Sequence, residues 1–363
     1  MGSYSVMRLL AVGCLAVLLG ACAVATPKPE VVAPPKPEVV APPPPLPEVT
    51  PPPAVAPVEE KLPEVFESED FVVTIAKEGD TPEELAAKFL GDPSKAWMIE
   101  EYNGAASFSP GQEVMVPKRP WNLSGVYPTG YQLVPVLVYH NMAPEAKGRL
   151  TIAVKTFEEQ MRYLKAQGYR VISLNELLEF NSLRRQLSQK SVVVTFDDGY
   201  KSFLQYAYPI LKELGFTATL FVYTDYVGAG RNALSWDDLK RLAQEGFQIE
   251  AHSKTHDDLR RRPEESDADF ARRMQAELAY PLTLFQRHLA RSSPILAYPY
   301  GKTDDKVIQK VKEYGYTAAL TVLRQGNASF VYPLTLHRSQ VYSEMSLEDF
   351  AKNLNTFNQE ALE

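Results

Sequence analysis

Asp197 and Asp198 stand side by side at the end of "SVVVTF", residues 191–196, and Gly199 follows them. Two adjacent carboxylates repel each other, so the pair calls for a cation or for a division of roles. Further along, "HSKTH" sets His252 and His256 four residues apart. Two imidazoles and one carboxylate make a three-ligand set that leaves a coordination position open, as a catalytic metal requires. Asp198 is the natural third ligand. A divalent ion there brings the pKa of its water toward neutrality. Asp197, left ionised, can then accept the water's proton as general base. Non-haem iron oxygenases use the same ligand types, but they need no second aspartate as a base. Taken singly, an Asp-Asp-Gly triplet is a common turn and H-x-x-x-H a weak signal. The combination carries the reading.

These clusters need elements that bring them to one place, and each falls at the end of a strand-like run. The runs are 192–196 before the aspartates, 248–251 before His252, 294–298 before Pro299-Tyr300-Gly301, and 134–139 before His140. Further strand-like runs lie at 170–173 and 218–223. Amphipathic helical stretches lie between them at 156–168, 174–180, 209–215, 236–245, 267–288 and 306–314. Short apolar strands alternating with helices imply a parallel sheet. The number of repeats favours a closed barrel, whose active face lies at the carboxyl ends of the strands.

The motifs "TFDDG" at 195–199, "HSKTH" at 252–256 and "YPYG" at 298–301 follow one another in an order and spacing that resembles the polysaccharide deacetylase family, carbohydrate esterase family 4, also called the NodB homology domain. The resemblance spans about residues 132–345. It implies an α/β fold, a distorted (β/α) barrel that removes N-acetyl groups from amino-sugar polymers. It further implies Zn2+ or another divalent ion on Asp198, His252 and His256, with Asp197 as base. The backbone N–H of Tyr300 would help stabilise the oxyanion. Two positions depart from the pattern. The family's arginine two residues before the proline of the third motif is Ala297 here, and Arg338 in "LHRSQV" is the candidate to replace it. The family's general acid is a late histidine, matched by His337 in "LTLH". However, "PVLVYH" at 135–140 resembles a branch including poly-N-acetylglucosamine deacetylases, in which an early histidine takes that role. His140 is therefore preferred, with His337 as the alternative.

The remaining segments read as delivery and attachment. Arg8, the apolar run 9–19 and Leu19-Gly20-Ala21-Cys22 form a targeting segment, residues 1–21, whose end resembles a lipoprotein lipobox. The resemblance implies a lipidated Cys22 and attachment to a membrane of the cell envelope. Ala23 favours the outer membrane. The other cysteine, Cys14, lies in the removed part, so no disulfide is expected. Residues 22–66 are a proline-rich linker in which "PKPEVVAP" occurs at 27–34 and 35–42, a composition that favours extended polyproline II.

Residues 67–119 read as a βααβ unit. Phe71, Val73 and Ile75 alternate as in a strand, and Thr81 with Glu84 forms a capping box. Gly79-Asp80-Thr81, Glu101-Tyr102-Asn103 and Pro110-Gly111-Gln112 resemble the LysM module, which implies binding of N-acetylglucosamine polymers such as peptidoglycan. The deacetylase-like domain is bounded at 130–345. A capped helix, 346–355 within the tail 346–363, is expected to pack on the barrel.

The 363 residues carry a formal net charge of −7 with no basic stripe, which speaks against nucleic acid as a partner. Arg260-Arg261-Arg262 reads as a solvated turn and His288 as a surface histidine. Together these observations lead to a metal-dependent N-deacetylase acting on an N-acetylglucosamine-containing envelope polysaccharide, either peptidoglycan or an exopolysaccharide. The alternative is a catalytically inactive peptidoglycan-binding lipoprotein. Retention of both aspartates and both histidines argues against it.

Overall fold

The alternation of short apolar strands with helices resolves into an eight-stranded, wholly parallel sheet in the computed structural model, which describes residues 65–360. The targeting segment, Cys22 and nearly all of the linker lie outside the described residues. Across the sheet the order is Ala318–Leu320, Ile295–Ala297, Gln248–Ala251, Thr219–Val222, Ser191–Asp198, Val136–Tyr139 and Ser339–Gln340. Arg170–Ile172 pairs with the start of Ser191–Asp198. The late segment closes the sheet on itself. Ser339 and Gln340 pair with Leu137 and Val138, while Leu336 bridges to Leu320 at the opposite edge. The result is the distorted barrel expected from the sequence.

A parallel sheet must be covered on both faces, and the long strand Ser191–Asp198 is accordingly buried throughout. Val192, Val194 and Phe196 belong to the outer layer with Phe157, Met161, Leu211 and Phe203 of the surrounding helices. Val193 belongs instead to the lumen with Val136, Phe221, Ala297, Leu320 and Leu336. The period of two therefore carries Thr195 and Asp197 into the lumen as well.

Two helical rods contain a π-helical turn, Phe203–Ala207 and Gln275–Ala279, and each runs into a proline, Pro209 or Pro281. Proline lacks the N–H for an i→i−4 bond and crowds that carbonyl, so the helix widens there. The predicted helix at 267–288 is thus one rod, Asp267–Leu289, with a local change of pitch.

The small N-terminal module has three antiparallel strands, Val65–Glu67, Phe71–Ile75 and Glu113–Pro117, one more than the pattern suggested. Helices Pro82–Leu90 and Ala96–Asn103 pack on them, and the Thr81–Glu84 capping box is formed. In Phe71–Ile75 the buried positions are Val72 and Thr74, with the predicted alternation of Phe71, Val73 and Ile75 on the more open face. Motif residues of this module serve packing. Asn103 Nδ2 donates to the carbonyls of Ile99 and Met115, and its Oδ1 accepts from Met115 N–H. Tyr102 lies between Phe71 and Trp121. Glu101 Oε1 accepts from Ser188 Oγ and Gln189 N–H, which anchors the module where Ser191–Asp198 begins, at the end remote from the aspartates.

The C-terminal expectation needs correction. The helix covers only Leu347–Ala351, and Phe357–Gln359 then forms a strand against Gly130–Gln132. Gly130 permits this pairing, because a Cβ there would lie 1.9 Å from the Asn358 carbonyl oxygen. Paired strands place the last described residues with the deacetylase-like domain rather than in a separate tail helix. No helix among the described residues is long and apolar enough to cross a membrane.

Candidate active site

Asp197 follows Val193 and Thr195 on the lumen side, and the backbone then turns abruptly. Asp198 has φ 75° and Gly199 φ 85°. A side chain at Gly199 would press on Val222 at 3.0 Å, so glycine lets the strand exit close to its neighbour. Tyr139 is in register with Phe196, so His140 comes next to Asp197 at the end of the adjacent strand. Ser253, His256 and Tyr300 also have positive φ, of 69°, 65° and 59°. With Asp198 they are four of the six non-glycine residues in that region among those described. Such backbone persists only where the surroundings over-determine it.

His252 is fixed from both sides. Its N–H donates to the Val222 carbonyl, and its ring Nδ1 lies 2.7 Å from the Ala297 carbonyl. A carbonyl only accepts, so Nδ1 carries the hydrogen and Nε2 presents its lone pair to the aspartates. His252 Nε2 is 3.7 Å and His256 Nε2 3.4 Å from Asp198 Oδ1. The ligand atoms of Asp198, His252 and His256 all lie within 4.8 Å of one another. Burial pushes the Asp198 carboxyl up to about 6, with the Asp197 charge adding to the effect and His140 opposing it. Asp198 Oδ1 is buried without a hydrogen-bond partner. Burial pushes His252 down to about 3 and also lowers His256, so both are neutral. Two neutral imidazoles converging on a carboxylate oxygen without a partner form a donor set that fits a divalent metal ion.

Asp197 is paired differently. Arg338 enters the lumen from the closing segment and is fully buried. Its Nη1 donates to Asp197 Oδ1 at 2.7 Å and its Nη2 to Oδ2 at 2.9 Å. Nε donates to the Thr321 carbonyl, and the guanidinium lies over the Phe221 ring. Burial works against the Asp197 charge, but Arg338, His252 and His140 outweigh it and hold the carboxyl at about 2. Ala297, the position where an arginine was expected, contributes a small side chain to the same lumen.

The Polysaccharide deacetylase family profile matches residues 184–319. YxkH of Bacillus subtilis, assigned by name to the polysaccharide deacetylases, is 30% identical over 214 residues, 59% of this chain and 73% of YxkH. This chain belongs to the polysaccharide deacetylase family. It is accordingly a hydrolase. The poly-beta-1,6-N-acetyl-D-glucosamine N-deacetylase of Staphylococcus aureus is 27% identical over 174 residues, 46% of this chain, which spans 59% of that relative. Among solved structures, the Streptococcus pyogenes deacetylase PplD in complex with acetate has a TM-score of 0.55 at 25% identity, covering 62% of this chain and 100% of that one.

The family match includes Asp197, Asp198, His252, His256 and Tyr300, while His140, His337 and Arg338 lie outside it. In this family member the structure brings His140 and Arg338 to the aspartates but not His337. Arg338 and His337 are neighbours in an extended segment, so their side chains leave on opposite sides. His337 faces a separate cleft of about 490 Å3 with Tyr131, Phe330 and Asn353, and its Nδ1 lies 3.3 Å from the Gly326 carbonyl. His140 is half-buried, acts electrostatically on both aspartates, and has an Nδ1 without a hydrogen-bond partner. The sequence reading missed Tyr200 and Tyr223 beside the ligands, and it named Tyr300 for its backbone N–H alone. Tyr200 lies close enough to Asp198 for its hydroxyl to favour the ionised carboxylate. Tyr223 lies 5.3 Å and Tyr300 4.7 Å from the His256 ring. Tyrosine is common in cores, and only the position of Tyr200 directly after "DDG" gave a signal.

Proposed function

We propose that this polysaccharide deacetylase hydrolyses the acetamides of an N-acetylglucosamine-containing polysaccharide of the cell envelope, with a divalent ion, best matched by Zn2+, on Asp198, His252 and His256. The observation that carries the reading is that Asp197, Arg338-paired and ionised, lies 3.7 Å from His252 Nε2 and so directly beside this ligand set. Bound there, the ion supplies Lewis acidity toward a water and toward the acetamide carbonyl. Asp197 accepts the proton of the attacking water, and the N–H of Tyr300 donates to the oxygen that becomes negative. The C–N bond breaks with transfer of a proton from His140 to the leaving nitrogen, giving acetate and a free amine. The half-buried and exposed tyrosines 200, 223 and 300 offer the faces and hydroxyls on which a pyranose rests.

We further propose that lipidated Cys22 and the proline-rich linker tether the enzyme to an envelope membrane, and that the small module binds peptidoglycan. Support comes from the sequence motifs.

The test is acetate release by the full chain offered peptidoglycan and poly-β-1,6-N-acetylglucosamine oligomers, with and without chelator and alongside Asp197→Asn. The expected result is chelator-sensitive release on at least one polymer, lost in the variant. A protein that binds Zn2+ and releases no acetate from either would overturn the reading in favour of a polysaccharide-binding role.

A further inference from the structure

The loop that carries both histidines is held from two sides. On one side, Thr224 N–H and Asp225 N–H donate to the carbonyls of Ser253 and Lys254 at 3.2 and 2.9 Å. On the other, a single carboxylate takes the loop's next donors. Glu277 Oε2 accepts from Lys254 N–H and Thr255 N–H, both at 3.0 Å, and Oε1 accepts from the Thr255 hydroxyl at 2.7 Å. Glu277 is 4% exposed. It belongs to the π-helical turn Gln275–Ala279. Pro281 is four residues on, so the carbonyl without its regular helical partner is that of Glu277 itself, and the widened turn there presents the carboxylate to the loop.

We propose that Glu277 is a positioning residue for the metal site, fixing the turn at Ser253–His256 so that His256 converges with His252 on Asp198. The inference rests on reading these three residues as metal ligands. Ser253 and His256 both stand at positive φ, a conformation that non-glycine residues keep only when their surroundings impose it. Glu277 imposes it from inside the turn, because Lys254 and Thr255 lie between the two strained residues. His252 has anchors of its own in the Val222 and Ala297 carbonyls. Among the described residues the one hydrogen bond His256 makes runs from its N–H to Ser253 Oγ, inside the same loop, and its ring is held only by side-on contact with Tyr223, Tyr300 and His252. Loss of Glu277 therefore releases His256 and leaves His252 in place.

The experiment measures Zn2+ affinity of the full chain by competition with a chromogenic chelator, and amide exchange at Lys254 and Thr255 in the metal-free protein. Glu277→Ala should weaken Zn2+ binding about tenfold or more and expose both amides to rapid exchange. Glu277→Gln keeps one oxygen for the two N–H groups and an amide that can donate to the Thr255 hydroxyl, so it should stay within about threefold of the wild type. Glu277→Asp keeps the charge but withdraws the carboxylate by a methylene, and it should follow Glu277→Ala even if the latter fails to fold. Wild-type Zn2+ affinity and amide protection in Glu277→Ala or Glu277→Asp would overturn the positioning role, as would a Glu277→Gln as weak as Glu277→Ala. A wild-type chain that binds no Zn2+ would overturn the metal reading itself, a different result from equal binding by wild type and variant.

Discussion

Arg338 and Asp197 meet as a doubly hydrogen-bonded pair, at 2.7 and 2.9 Å, inside the barrel although 141 residues separate them. The arginine comes from the segment that closes the sheet, so one residue both seals the barrel and holds the proposed base. Removing one partner leaves the other as an uncompensated buried charge. Arg338→Met should cost about 3–5 kcal/mol of folding stability, read from urea unfolding. A loss below about 1 kcal/mol would mean that Asp197 is not left as an uncompensated buried charge.

The same pair sets an acid sensitivity. The Asp197 carboxyl sits at about 2 in the folded chain against an ordinary 3.8. A depressed folded pKa stabilises above the unfolded value and loses its contribution as pH falls through the folded one. Wild type should therefore lose about 2 kcal/mol more than Asp197→Asn between roughly pH 4 and 2. Parallel stability curves for the two proteins, measured with chelator present, would contradict this.

Metal removal should register in stability as well as in activity. An ion bound at a hundredfold excess over its Kd adds about 2.7 kcal/mol. Chelation should lower the melting temperature of wild type and leave that of Asp198→Asn unchanged. A shift of the same size in both would place the ion elsewhere.

The two candidate acids separate by kinetics. His140→Ala should lower kcat by about a hundredfold or more, whereas His337→Ala, facing the other side of its strand, should stay within about threefold. The reverse result would return the acid role to His337.

Within the small module, Asn103→Ala removes two hydrogen bonds between the helix Ala96–Asn103 and Met115 of the strand Glu113–Pro117, and a third to Ile99 inside the helix. The module should lose about 1–3 kcal/mol, seen as faster amide exchange at Met115, with the barrel unaffected.

The sequence alone determined the chemistry's cast and its approximate stage. The aspartate pair, the two histidines four apart and the "YPYG" motif are contiguous, and each ends an apolar run. Residue type and local spacing were therefore enough to single out the residues that the fold brings together as a candidate site, and the alternation of runs was enough to name a parallel barrel. Local patterns failed where the cause was distant. The short strands Ala318–Leu320 and Ser339–Gln340 have too few residues to show a period and exist because the closing sheet supplies partners. The C-terminal strand depends in the same way on Gly130 across the sheet.

Tertiary structure alone decided between neighbours with equal local claims. His337 and Arg338 are adjacent, and only the register of the closing segment turns one into the lumen and the other away. Glu277 is one of several charged residues along an amphipathic helix. What singles it out is the pitch imposed by Pro281 and a loop folded back from more than twenty residues earlier, a meeting that no periodicity in the chain encodes.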